Sequence, residues 1–83
     1  MKVVKIGITK NQIELLRQRN VCLVLKQNDF EEKDIVIFHN ISDGIENEIN
    51  GLWEIRRIER DIEGLSEKYC LVYFVKLESL QWL

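Results

Sequence analysis

Apolar residues in this chain come in short runs separated by polar turns, and the run lengths are those of β-strands. Val21-Cys22-Leu23-Val24-Leu25 is one such block, Lys26-Gln27-Asn28-Asp29 interrupts it, and Asp34-Ile35-Val36-Ile37-Phe38 resumes it. Runs of this length, bounded by turn residues, predict strands over 21–26 and 34–39 joined by a turn over 27–33. At the start of the chain, residues 2–8 predict a strand with Val4, Ile6 and Ile8 on one side and Val3 and Lys5 on the other. Near the end, Cys70-Leu71-Val72-Tyr73-Phe74-Val75-Lys76-Leu77 is rich in β-branched and aromatic residues and apolar on both faces. Strands of that kind belong in the middle of a sheet or in a small closed barrel.

Two segments break the strand pattern. Thr9-Lys10-Asn11-Gln12 is a capping box, in which the Thr9 hydroxyl accepts from the Gln12 backbone N–H and the Gln12 side chain reaches back. Ile8 and Ile13 flank it as a staple, and Ile13, Leu15 and Leu16 supply an apolar stripe, so a short helix closing near 17–20 is expected. Residues 52–63 give two signals. Leu52, Ile55, Ile58, Ile62 and Leu65 recur at helical spacing, whereas Gly51-Leu52-Trp53-Glu54-Ile55 begins as a strand leaving an Asn50-Gly51 turn. Between them and the earlier strands, 40–51 is a polar loop with room for a short strand at 45–49, and the tail Ser79 to Leu83 carries Leu80, Trp82 and Leu83, which either pack back or meet a partner.

Composition narrows the class. The 83 residues suit one domain, 1–83, and a chain this short buries only roughly 60–65% of its unfolded surface, so nearly every apolar run has to enter the core. Twelve basic against 14 acidic side chains leave a net charge of −2, which excludes a general polyanion binder acting through its overall field. Nucleic-acid contact then requires a local basic patch. No apolar run at the N-terminus is long enough for a signal sequence or a membrane span, so a cytoplasmic protein without membrane contact is expected. Cys22 and Cys70 lie in apolar runs and read as buried thiols rather than a disulfide. His39 is the only histidine and no Cys-x-x-Cys pair exists, so neither metal nor another cofactor is expected.

Three segments together resemble the small PUA-like barrels of the ASCH type: the first strand with its helix, the strand ending in Lys26 before Asn28-Asp29 and the Asp34-led strand, and the unit from Gly64 and Tyr69 into Cys70–Leu77. The resemblance implies an α+β, mainly β fold, a small barrel of about five strands with one helix after the first strand, and it favours strand over helix at 52–59. It also implies nucleic-acid or nucleotide binding. ASCH-type proteins typically carry Gly-Lys-Lys-Thr-x-Glu-x-Arg entering the second strand. The matching positions here run from Arg19 to Lys26, so the family's pocket-lining Thr, Glu and Arg become Cys22, Val24 and Lys26. Some members hydrolyse acylated cytidine with that lysine and threonine and a later glutamate. Both of the first two are missing here, and only Glu63 and Glu67 lie near the third. Cys22, in an apolar strand without a sequence-visible base, is expected to have a raised pKa and not to replace them as a nucleophile.

These residues lead to a non-catalytic module and two classes of partner. In the first, RNA or a nucleotide is bound by Arg17, Arg19, Lys26, Asn28, Arg56, Arg57 and Arg60, with the Trp53 ring available to stack on a base. Solvated arginines paired with Glu54, Glu59 and Asp61 are the plainer account of the same charges, and Asn28 and Asp29 equally suit a turn. In the second, the barrel is a scaffold for a protein partner, met through the acidic loop around Asp43, Glu46 and Glu48 or through a sheet edge; a short accessory protein, such as one from a phage or mobile element, would suit that role.

Overall fold

One mixed, mainly β sheet is built along the strand path 3–8, 35–40, 52–59, 69–77 and 20–26, and a short helix follows its first strand. The structure, a computed structural model, describes residues 1–42, 47–49 (47 and 48 by backbone) and 51–77. The elements are β1 (Val3–Ile8), α1 (Lys10–Leu15), β2 (Asn20–Lys26), β3 (Ile35–Asn40), β4 (Asn47–Glu48), β5 (Leu52–Glu59) and β6 (Tyr69–Leu77). β1 runs parallel to β3, the other ladders are antiparallel, and β4 is a short addition on β3. The expected tail contacts at 79–83 and the acidic loop at 43–46 lie outside the described residues. No described helix is long and apolar enough to cross a membrane.

The expected closure into a barrel does not occur. The path ends at β1 and β2, and among the described residues no ladder joins them. Over most of their length these strands lie more than 8 Å apart at Cα, against about 4.8 Å for paired strands.

Alternation along the strands fills the concave side. Val21, Leu23 and Leu25 of β2, Val36 and Phe38 of β3, Trp53 and Ile55 of β5, and Cys70, Val72 and Phe74 of β6 are all buried. Phe38 is the hub, meeting Trp53 and Phe74 edge-to-face with ring centroids 5.1 Å away in each case. Such aromatic geometry adds to the area each ring removes from water.

Residues 52–59 are strand, and the helical spacing within them has a local cause. Ile55 faces Phe74 and Arg57 faces Tyr73, so Arg56 is the extra residue of a β-bulge. Trp53, Ile55 and Ile58 turn toward the core while Arg56 and Arg57 both turn out. A bulge thus produces the three-residue step from Ile55 to Ile58 that imitates a helix. Gly51, at φ +116, enters this strand where a Cβ would stand 3.2 Å from the Trp53 ring and 3.3 Å from Lys76, a tight fit added to a strained backbone.

The helix begins as its sequence dictates, with both halves of the Thr9–Gln12 capping box formed. It ends sooner than expected, at Leu15. Only Ile13 and Leu16 reach the core, and Leu15 is left exposed, so packing sustains little more than one turn.

Asp34, the acid that leads into β3, is the one buried charged side chain among the described residues. It accepts from the backbone N–H groups of Lys2 at 3.1 Å and Glu31 at 2.8 Å, and pairs with the Lys2 ammonium at 2.9 Å. Burial pushes its carboxyl up, but the Lys2 side chain and the two backbone donors outweigh that and hold it below the ordinary value. The beginning of β1 is thereby tied to the turn ahead of β3.

Candidate functional site

The gap between the sheet's two ends is a cleft of about 400 Å³. Strand geometry explains its lining. Lys2 and Ile8 accept hydrogen bonds from Ile35 and Ile41, so the even-numbered residues of β1 bond toward β3. Arg19 and Gln27 bond with Lys76 and Lys68, so the odd-numbered residues of β2 bond toward β6. The remaining backbone groups, those of Val3, Lys5 and Gly7 on one side and Cys22, Val24 and Lys26 on the other, turn toward the seam. From α1, the Gln12 side-chain amide reaches across and donates to the Val24 carbonyl at 3.2 Å.

The walls are apolar and the rim is polar. Ile6, Leu25, Phe30 and Ile41 line the cleft together with Lys5, Thr9, Lys26, Asn28 and Tyr69. Lys26 is exposed and forms no ion pair among the described residues. The loop from Gln27 to Phe30 is held in place from several sides. Asn28 Oδ1 accepts from the Asp29 N–H at 2.8 Å, and Lys2 Nζ donates to the Asp29 carbonyl at 3.1 Å. Arg60 donates to Gln27 Oε1 and lies over the Phe30 ring. A cleft of this size with an apolar floor and a few polar groups at its rim suits a small organic ligand or one nucleotide.

The expected basic residues do not share one patch. Arg19 is opposite Lys76 and Gln27 opposite Lys68, eight residues along β6 or about 27 Å. Arg17 belongs to the first end, where it lines a separate hollow with Leu16, Ile49, Trp53 and Lys76, and it pairs with Glu14. Arg60 belongs to the second, beside Gln27 and Phe30. Arg56 and Arg57 stand on the convex face, paired with Glu54 and Glu59 at 2.7 Å each. Exposed pairs of this kind contribute about 0–1 kcal/mol, so they exchange readily for another anion.

Two assignments change. Trp53 is only 1% exposed, so it is a core residue and has no face to offer a base. Its place on an inward position of β5, against Phe38, is the reason. Cys22, Val24 and Lys26 do share a face, as their spacing requires, but it is the convex face and not a common pocket. Val24 and Lys26 reach the cleft along the strand edge, whereas Cys22 lines a smaller hollow of about 230 Å³ with Arg56 and Tyr73. Burial pushes the Cys22 thiol up and Glu59 adds to this, while the Tyr73 hydroxyl and Arg57 pull it the other way without prevailing. At neutral pH it is a thiol and a poor nucleophile.

The aromatic side chain that accompanies the arginines is Tyr73, over whose ring the Arg57 guanidinium sits at 4.2 Å from the centroid. Alternation from the buried Cys70, Val72 and Phe74 turns Tyr69, Leu71, Tyr73 and Val75 outward, a signal present in the sequence once the inward set is known. No protein-family model matches the chain, and no curated protein matches it.

Proposed function

We propose that this chain is a non-catalytic nucleotide- or RNA-binding module of PUA-like kind, with the seam between β1 and β2 as its ligand cleft. The observation that carries the reading is Lys26, a cation without an ion pair among the described residues, at the mouth of an apolar cleft of about 400 Å³ that Asn28 also lines. A base would lie against the part-exposed Ile6 and Val24, with its edge toward Asn28 and the seam-facing backbone, and its phosphate would meet Lys26. The strand–helix–strand order and the Asp34-led strand support the PUA-like descent, and the missing lysine and threonine of the ASCH segment support binding without hydrolysis.

Titrating uridine and adenosine monophosphates at low salt, observed by amide chemical shifts, tests this. Shifts should centre on Gly7, Gln12, Lys26 and Asn28 and disappear in Lys26→Ala. Absence of shifts at millimolar nucleotide, or shifts elsewhere that survive the substitution, would refute it.

One observation favours a protein partner instead. The seam is wider than one strand spacing and is bordered by two edges with no strand neighbour among the described residues, the geometry that accepts an added strand. Under that reading a partner protein would slow hydrogen exchange at Lys5, Gly7, Val24 and Lys26, and nucleotides would not.

A further inference from the structure

The cleft does not end at its rim. Lys26 and Tyr69 both line it, and they are register partners in the first row of the convex face. The next rows along the same face are Val24 with Leu71, flanked by Glu59, and then Cys22 with Tyr73, flanked by Arg57. Arg56, turned out by the bulge, borders that last row and lines the small hollow with Cys22 and Tyr73. Among the described residues no second layer covers these rows: Tyr69, Leu71, Tyr73 and Val75 are part-exposed, and Val24 is 45% exposed. The helix is engaged elsewhere, at the seam and with Ile13 and Leu16 on the core.

We infer that the ligand is a single-stranded oligonucleotide whose first nucleotide occupies the cleft and whose following nucleotides run over the convex face from Tyr69 to Tyr73. This rests on the cleft reading given above and extends it from a nucleotide to a strand. The two tyrosines are four strand residues apart, about 13–14 Å. The track begins at one cation, Lys26, and ends at two, Arg56 and Arg57, with apolar Val24 and Leu71 between them and Glu59, held by Arg57, at the side of that row. That alternation matches bases lying flat on apolar and aromatic side chains while the backbone meets positive charge at each end. At the far end the Arg57 guanidinium over Tyr73 offers a second stacking plane of the sort used for unpaired bases. The footprint is on the order of four nucleotides, at the lower limit of single-strand-binding surfaces.

Sequence favours Trp53, the more conspicuous ring, for stacking, and Tyr73 gains prominence only because the bulge brings Arg57 into its row. Most of the participating arginine charge is held in shallow pairs with Glu54 and Glu59, which phosphate groups would replace. The expected salt dependence is therefore shallow, from about two or three phosphate contacts.

The test compares uridine monophosphate with uridylate and deoxyuridylate tetramers on the full chain, by fluorescence anisotropy of labelled tetramers and amide shifts for the monomer. The tetramer should bind at least tenfold more tightly than the monophosphate. Tyr73→Ala should weaken the tetramer about tenfold and leave the monophosphate unchanged, Arg56→Gln should weaken the tetramer about threefold, and Tyr73→Phe should retain binding. Circular dichroism confirms that each variant is folded; should Tyr73→Ala not fold, Arg56→Gln and Arg57→Gln decide. The relative affinity of the two tetramers identifies the preferred sugar. Equal affinity of monomer and tetramer, with Tyr73 and Arg56 substitutions neutral, would overturn the track while sparing the cleft. Failure of both probes to bind the unaltered chain would remove both.

Discussion

The ladder from β3 through β5 and β6 to β2, and the seam that separates β2 from β1, use the same apolar strand vocabulary to different ends. In the ladder, backbone groups pair with one another and the inward residues meet as interlocking rings, Phe38 between Trp53 and Phe74. At the seam, backbone groups of both edges turn to a space more than 8 Å wide over most of its length, which the Gln12 side chain crosses to reach Val24. Stability is concentrated where the pairing is complete, and the proposed binding where it is not. A fully laddered ring of strands would have no such cleft.

Substitutions that separate these two regions give the contrast numbers. Phe38→Ala removes the ring that joins the other two aromatics and should cost about 3–5 kcal/mol, enough to unfold much of a domain this small. A thermal melt followed by circular dichroism checks it, and a loss below 1 kcal/mol would mean that the packing around Phe38 is not as described.

Asp34→Ala comes next. It leaves the Lys2 and Glu31 backbone donors without their acceptor and should cost about 2–3 kcal/mol, the larger values being excluded because Lys2 is half-exposed. The same group gives an acid limb. Its folded carboxyl is held low, so its contribution is complete above the unfolded value of about 3.9 and is lost as pH falls through the folded one. Asp34→Asn should show a smaller loss of melting temperature than the parent as pH falls below about 4. An identical acid limb in both proteins would remove Asp34 from that role.

Thr9→Ala should cost about 1 kcal/mol through loss of the capping box, with the effect confined to α1 and the Gln12 bridge to Val24. Amide exchange in residues 10–15 would register it. The smallest stability effect belongs to the seam itself: Lys26→Ala should change stability by less than about 0.5 kcal/mol and still remove nucleotide binding. If it destabilised the chain as much as Thr9→Ala does, Lys26 would be part of the framework and the division drawn here would fail.

Particular residues show how far the sequence could be followed. Val21 to Leu25 and Cys70 to Leu77 announced their strands because apolar density and β-branching are local properties, and Thr9 and Gln12 announced the helix start because a capping box closes within four residues. The 52–59 segment resisted reading alone. Its spacing combined an alternating strand with one inserted residue, and only the register against β6 reveals Arg56 as the insertion. Within the candidate site, Val24 and Lys26 follow from the resemblance to the ASCH segment and Asn28 from the turn after that strand, whereas Lys5, Gln12, Phe30 and Tyr69 carry no such signal. Nothing in sequence links residue 5 to residue 26 until the sheet has curved far enough to bring its ends into view of each other.

What the chain determined by itself was therefore the inventory: which segments outside 52–59 extend, where the helix after the first strand starts, and that no excess of positive charge acts over the whole molecule. Those follow from neighbour-to-neighbour geometry and from composition. Tertiary structure alone decided that Trp53 goes inside while Tyr73 stays out, that the arginines separate to different ends and faces, and that β1 and β2 stop short of pairing. Each of these depends on residues tens of positions apart meeting across the sheet, where twist, bulge and packing volume set the distance.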